Sequence, residues 1–281
     1  MTLNELYRKT KVELKKAGVD SPAFDAMCLF ERAFGLDRHG LIMHGDRHAD
    51  KEKTEFLETL VKRRSGGEPL QYILGKWQFM GIDLFVGAGV LIPREDTACV
   101  VQAAIDNLRG RSNLEAADLC SGTGAIAISL AKTLDCRVTA VELYDEAFFY
   151  LEKNITANNA VNVTALKADA LTCCDKVLNS SLDLIISNPP YIMSSEIATL
   201  QQEVQCEPRT ALDGGEDGYL FYNAIINNWT DKLKRGGILC FELGENQFET
   251  VKEKMLESEY ENIGFALDLG GVKRCIYGYK K

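Results

Sequence analysis

The sequence predicts an α/β fold, in which a small helical bundle and a β-hairpin linker precede a doubly wound sheet of seven strands. Three observations predict it. Apolar positions over residues 1 to about 65 recur at helical spacing, as in Leu3, Leu6 and Tyr7 and later in Phe24, Met27, Cys28 and Phe30. The stretch "GGEPLQYILGKWQFMGIDLFVGAGVLIPRED" then brings glycines, aromatic residues and short apolar runs. From about residue 96, strand-like runs alternate with helical ones, the rhythm that builds a parallel sheet covered by helices on both faces.

Each element has its own signal. Within the first 65 residues Pro22 is the one proline and follows Ser21, a helix-start pair. The hairpin is expected to turn around Gly81. The strands are then "EAADLC", "RVTAVEL", "NVTALKA", "LDLIIS", "GGILCFEL", "ENIGFALDL" and "KRCIYGYK". Between them lie the helical stretches "GAIAISLAKTL", "DEAFFYLEKNITANN", "GYLFYNAIINNWTDKLKR" and "NQFETVKEKMLES". The connection between the last two strands is too short for a crossover, so they should form an antiparallel hairpin at one edge. The expected division is residues 1–72 for the helical domain, 73–95 for the hairpin linker and 96–281 for the sheet domain.

Composition narrows the function classes. A chain of 281 residues, 46% hydrophobic and 26% charged, is ordinary for a globular protein. Its net charge of −9 disfavours a polyanionic partner. The nine cysteines are odd in number and contain no C-x-x-C pair, which points to small core residues in a reducing cytosol. The first twenty residues lack the apolar core of a signal peptide, and no run approaches the roughly 20 apolar residues of a membrane span. The expected location is cytoplasmic, without membrane contact.

The first chemical site is "ADLCSGTGAIAI", a glycine-rich turn between a strand and a helix. Backbone amides and the positive helix end can face a polar ligand there, and Gly122 and Gly124 allow an approach that a Cβ would block. The next strand ends at Glu142, whose carboxylate can accept hydrogen bonds from two ribose hydroxyls. Gly122, Gly124 and Ala127 also fit the dinucleotide pattern, but the loop lies deep in the chain and no hydride-transfer pattern accompanies it. S-adenosyl-L-methionine suits the same geometry, with Asp118 and the loop residues Cys120, Ser121, Gly122, Thr123 and Gly124 near its amino acid moiety and Glu142 on its ribose. "LKADAL" supplies Asp169, beside Ala170, for an adenine amino group.

The second is Asn188-Pro189-Pro190-Tyr191, which ends the fourth strand of the sheet and so falls on the same edge as the first. Two prolines make the turn rigid. A planar NH2 group conjugated to a carbonyl or a ring is a poor nucleophile, because its lone pair is delocalised. Asn188 Oδ1 and the Pro189 carbonyl can each accept one of its N–H bonds, favouring a transition state in which positive charge grows on nitrogen. Tyr191 offers a flat face to a planar amide or base. Asn188 also borders the donor site.

These residues, with "GEPLQYILGKWQF", "LIPREDT" and "EVQCEPRTALDGGEDGY", resemble the HemK/PrmC family of S-adenosylmethionine-dependent methyltransferases. These enzymes modify the glutamine of the Gly-Gly-Gln tripeptide in peptide chain release factors. The resemblance spans essentially the whole chain. It implies a helical amino-terminal domain that helps grip the release factor, a hairpin linker and a Rossmann-like seven-strand methyltransferase sheet. A monomer with no direct nucleic-acid contact is expected. It further implies that Asn188, Pro189, Pro190 and Tyr191 bind the glutamine amide, and that the loop Cys120 to Gly124 with Glu142 binds the methyl donor, which leaves as S-adenosyl-L-homocysteine. Two departures stand out at the donor site. Cys120 occupies the place of a frequent first glycine and narrows the room beside the methionine moiety, and Glu142 replaces a frequent Asp. Ala98 follows Thr97 where relatives often carry Glu.

Competing readings are methylation of a ribosomal-protein glutamine, methylation of an exocyclic amine in DNA or RNA, and a binding module without turnover. A nucleic-acid enzyme would want a basic, aromatic-lined groove. No metal is expected: His44 and His48 have no third ligand fixed nearby, and "DGGEDG" has Ala224 where a calcium loop needs Glu. The cluster Lys62-Arg63-Arg64 is expected to be a solvated helix end.

Overall fold

The computed structural model describes residues 1–281. Its first elements are α1 (Leu3–Lys16), α2 (Pro22–Phe34), α3 (Arg38–His44), α4 (Lys51–Ser65) and α5 (Leu70–Leu74), then the hairpin strands β1 (Lys76–Phe79) and β2 (Ile82–Phe85). Next come α6 (Thr97–Leu108), β3 (Leu114–Leu119), α7 (Ala125–Thr133), β4 (Cys136–Glu142), α8 (Asp145–Ala157), β5 (Val163–Lys167) and β6 (Leu182–Ser187). The chain ends with α9 (Gln202–Gln205), α10 (Leu220–Trp229), β7 (Leu233–Glu242), α11 (Phe248–Glu257), β8 (Tyr260–Leu267) and β9 (Lys273–Lys280). Two compact units result. One contains Met1–Lys76 with Gln201–Cys206, and the other Trp77–Leu200 with Glu207–Lys281.

In the first unit, α1 opens on a reciprocal cap: the Glu5 N–H donates to Thr2 Oγ1 at 3.2 Å, and the Thr2 N–H donates to Glu5 Oε2 at 2.8 Å. α2 starts at Pro22, whose fixed φ suits a first helical turn. Leu6, Leu14, Leu29, Phe30 and Leu57 meet in the core, where Phe30 stacks on Phe34 at 4.6 Å between ring centroids. The basic cluster at the end of α4 departs from the solvated helix end expected of it. Lys62 and Arg63 are exposed, but Arg64 is buried, donating from Nε to Asp25 at 2.6 Å and from an Nη to Glu203 of α9 at 2.5 Å. Arg64 is 5% exposed and so is shut off from water, and its charge is balanced by carboxylates instead. His44 ends α3, so it shares no helix with His48.

In the second unit, seven strands lie in the order β5-β4-β3-β6-β7-β9-β8. β3 to β7 are parallel, whereas β9 is antiparallel to both β7 and β8. The expected terminal hairpin is present, with its second strand turned inward against β7 and β8 as the edge. Every residue of β6 is buried, as a strand covered on both faces requires. Side chains of α6, α7 and the β1–β2 hairpin pack one face, and those of α10 and α11 the other. One expected helix is shorter than its pattern. "GYLFYNAIINNWTDKLKR" is α-helical only to Trp229 and tightens into a 3-10 turn over Thr230–Lys232, because Leu233 pairs with Leu182 and is fully buried, so sheet pairing overrides the helical spacing beyond it.

Going from β3, the chain proceeds to β4 and β5 on one side and returns to β6 and β7 on the other. The carboxyl ends of β3 and β6 therefore flank a switch point, where such sheets open a crevice.

Candidate active site

The loop after β3 is braced before any ligand is considered. The Ser121 N–H donates to the Val141 carbonyl at 3.0 Å, and Ser121 Oγ to the Asp118 carbonyl at 2.8 Å. Cys120 holds φ +60° and Gly124 φ +80°. Left-handed geometry at Cys120 explains why a glycine would sit there at less cost. At Gly124 a Cβ would come within 2.7 Å of Leu151 Cδ1, so the closeness of α8 fixes this position. Asp118 lies behind the loop and does not reach the cavity. Its Oδ2 accepts from the Ala127 N–H at 3.2 Å, capping the first turn of α7, while Oδ1 has no hydrogen-bond partner.

Glu142 is the next brace. Its Oε2 accepts from the Gly122 N–H at 2.9 Å, and Oε1 from the Leu143 and Tyr144 N–H groups at 2.8 and 3.0 Å. Three backbone donors occupy three of the about four acceptor sites of a carboxylate. About one acceptor site therefore remains open on it. Asp169 follows β5 and accepts from the Leu171 N–H through Oδ1 at 2.8 Å.

Across the switch point, Ser187 Oγ donates to the Leu119 carbonyl at 2.6 Å, joining the ends of β6 and β3. Asn188 follows, and its Nδ2 donates to Thr97 Oγ1 at 3.3 Å. Its Oδ1 and the Pro189 carbonyl take no hydrogen bond within the chain. The Tyr191 hydroxyl donates to Glu242 Oε1 at 3.2 Å, and Gln247 Nε2 donates to the Tyr191 carbonyl at 3.0 Å. A second chain segment clamps the turn: the Ile192 N–H reaches the Leu212 carbonyl at 3.0 Å, and the Gly214 N–H returns to the Ile192 carbonyl at 2.8 Å. A Cβ at Gly214 would sit 2.7 Å from Tyr191 Cα, so "DGGEDG" serves as the close-packed backing of the proline turn.

Both chemical segments meet in one cavity of about 580 Å³, within the usual range for small-molecule sites. Cys120, Ser121, Gly122 and Thr123 line it, as do Glu142, Asp169, Ala170, Asn188 and Pro190. Asp118, Gly124, Pro189 and Tyr191 are not among the lining residues, and Pro189 and Tyr191 flank Pro190, which is. Sequence reasoning passed over Val90, Pro93, Arg94 and Thr97, which also line the cavity, together with Arg209 and Thr210. Their signal was present for all but Val90, since the others fall in "LIPREDT" and "EPRTALDGG". Arg94 is fixed by an ion pair with Glu207, whose other oxygen accepts from the Ile92 N–H at 2.9 Å.

Burial pushes the carboxyls of Asp118 and Glu242 up to about 7 each. A folded-state pKa above the unfolded value means that the native protein binds more protons between the two. Their contribution is complete below the unfolded pKa and is lost as pH rises through about 7. The lowered carboxyls Asp183, Asp213 and Asp268 lose their contribution only as pH falls below the ordinary Asp range. The Tm should therefore fall from pH 5 to pH 8, with a shallower fall in Asp118→Asn. A flat or rising Tm in wild type would contradict this.

Residues 5–75 match the family described as PrmC N-terminal domain, and residues 100–227 match the methyltransferase small domain. A release factor glutamine methyltransferase of Clostridium botulinum is 34% identical over 100% of this chain and 100% of its own length. One from Geobacter sulfurreducens is 36% identical over 99% and 96%. Among solved structures, a methyltransferase from Pyrococcus furiosus superposes with a TM-score of 0.52 at 21% identity, covering 72% of this chain and 90% of its own, which shows the shared fold.

Proposed function

Because the chain belongs to the family of release factor glutamine methyltransferases, we propose that it transfers a methyl group from S-adenosyl-L-methionine to a release-factor glutamine. The acceptor is the side-chain amide nitrogen of the Gly-Gly-Gln motif. Identity over the full length of both chains carries this reading, since it takes in the helical unit as well as the sheet.

The cavity residues fit such a donor. Glu142 keeps an acceptor for a ribose hydroxyl, Asp169 faces the same space, and a Cβ at Gly122 would meet nothing nearer than Val90 at 3.8 Å, so the loop leaves room for a methionine moiety. When bound, S-adenosyl-L-methionine supplies an electrophilic methyl group. Asn188 Oδ1 and the Pro189 carbonyl accept the two amide N–H bonds, orient the nitrogen and stabilise the positive charge that grows on it. The proton lost after attack passes to water or to one of these acceptors, so the chemistry calls for positioning more than for a strong base. The helical unit, residues 1–72 in the expected division, is the surface that grips the release factor. No helix is long and apolar enough to cross a membrane.

The decisive experiment is transfer of labelled methyl to an unmodified release factor beside the same factor with its Gly-Gly-Gln glutamine changed to Ala. Label on the first alone is the expected result. Label on neither, with the donor still bound, would overturn the release-factor reading and favour ribosomal proteins or nucleic acid.

A further inference from the structure

Asn188 can present either end of its amide to a substrate, and only one end accepts N–H bonds. Something must choose. Thr97, the first residue of α6, is 4% exposed and takes the Asn188 Nδ2–H on its Oγ1 at 3.3 Å. The Thr97 side chain also faces Glu242 and lowers the pKa of that carboxyl through hydrogen bonding. Glu242, at the end of β7, is 2% exposed and has the complementary gap: Oε1 accepts from Tyr191, but Oε2 has no partner. A buried hydroxyl thus stands beside a buried carboxylate oxygen that has no full hydrogen bond, and pairing the two offsets a cost that neither can escape alone.

We propose that Glu242 and Thr97 are positioning residues, which fix the Asn188 amide so that its oxygen, and not its nitrogen, faces the substrate. This rests on the proposed function. With Glu242 ionised, its carboxylate draws the Thr97 proton, Thr97 Oγ1 presents a lone pair to Asn188 Nδ2, and Asn188 Oδ1 is left for the substrate N–H. The same carboxylate holds the Tyr191 hydroxyl, so two residues of the proline turn answer to one buried anion. With Glu242 protonated, the Thr97 hydroxyl is free to point at Asn188 and hold the amide the other way round. The substrate N–H bonds would then meet N–H bonds.

The groups around Glu242 set when this happens. Burial raises its pKa, while Thr97, Arg274 of β9 and Tyr191 lower it and Asp96, just before α6, raises it further. Tyr222 of α10 donates to the Glu242 carbonyl at 2.9 Å, and the thiols of Cys99 on α6 and Cys275 on β9 both feel its charge. Activity is therefore expected to climb with pH as Glu242 ionises.

The test compares Thr97→Val, which keeps the shape and loses the hydroxyl, with Thr97→Ser, which keeps it. Thr97→Val should lower kcat by about 100-fold, as misorientation of a reacting group does, with donor affinity and the KM for release factor little changed. Thr97→Ser should restore most of the rate. Glu242→Gln should abolish the rise in kcat with pH seen in wild type. An undiminished Thr97→Val, a Thr97→Ser as damaged as Thr97→Val, or a Glu242→Gln that keeps the pH rise would overturn the proposal. The Asn188 side-chain NH2 resonances, identified by their loss in Asn188→Ala, give a reading free of turnover. They should shift in Thr97→Val but not in Thr97→Ser, and unchanged signals would also overturn it. If wild type transfers no methyl group the proposed function fails, and these resonances still decide the hydrogen bond.

Discussion

Asn188→Ala should nearly extinguish methyl transfer while donor affinity stays close to that of wild type. The side chain supplies one of two acceptors for an amide whose nitrogen must become positive, and removing one preorganised partner of developing charge costs about 10²- to 10³-fold in kcat. Alanine leaves the turn intact, because its geometry is set by Pro189 and Pro190, by Gln247 on the Tyr191 carbonyl and by the Ile192–Gly214 clamp. Donor affinity is preserved because Glu142 and the glycine loop hold their places through backbone bonds that do not involve Asn188. Single-turnover transfer and a donor titration on the same sample separate the two effects. A variant that loses donor binding to the same degree as turnover would show that Asn188 serves the donor and not the acceptor amide.

Arg64→Ala should destabilise the helical unit by about 3–5 kcal/mol, the usual cost of leaving a buried charge without its partner. Asp25 is 5% exposed, and burial already raises its pKa despite the guanidinium beside it. Without Arg64 it must take up a proton or admit water. The loss is large for a unit this small. Asp25→Leu combined with Arg64→Met should recover much of it, because two apolar groups of similar volume need no partners. Urea unfolding of the single and double variants gives the answer. A single variant no worse than an exposed substitution such as Lys9→Ala would mean that the pair contributes nothing.

Strands β3 to β6 were legible in the sequence because runs such as "LDLIIS" are mainly apolar without the alternation of a half-exposed strand, a pattern that suits a strand covered on both faces. The two chemical segments were legible for a different reason. Each combines residues with restricted or unusual backbone freedom at a strand end, and such residues announce themselves by type. What remained hidden is what periodicity cannot encode. It tells which face is buried, but not that Arg64 would be buried among carboxylates, or that Leu233 would leave a helical pattern to pair with Leu182. Asp118 had the residue type and placement of a ligand group, and its true partner, the first turn of α7, emerges only from the fold. Thr97 stood in plain view within "LIPREDT", but a threonine carries no chemical signature until its neighbours are known.

The short segment Gln201–Cys206 belongs to the helical unit although the chain on either side of it belongs to the sheet unit. Glu203 of that segment shares Arg64 with Asp25, so the helical unit is assembled from two stretches of chain about 125 residues apart. A chimera that grafts residues 1–76 from a relative onto this sheet would therefore inherit a foreign α9. Substrate preference should travel with the graft only when both stretches are exchanged together.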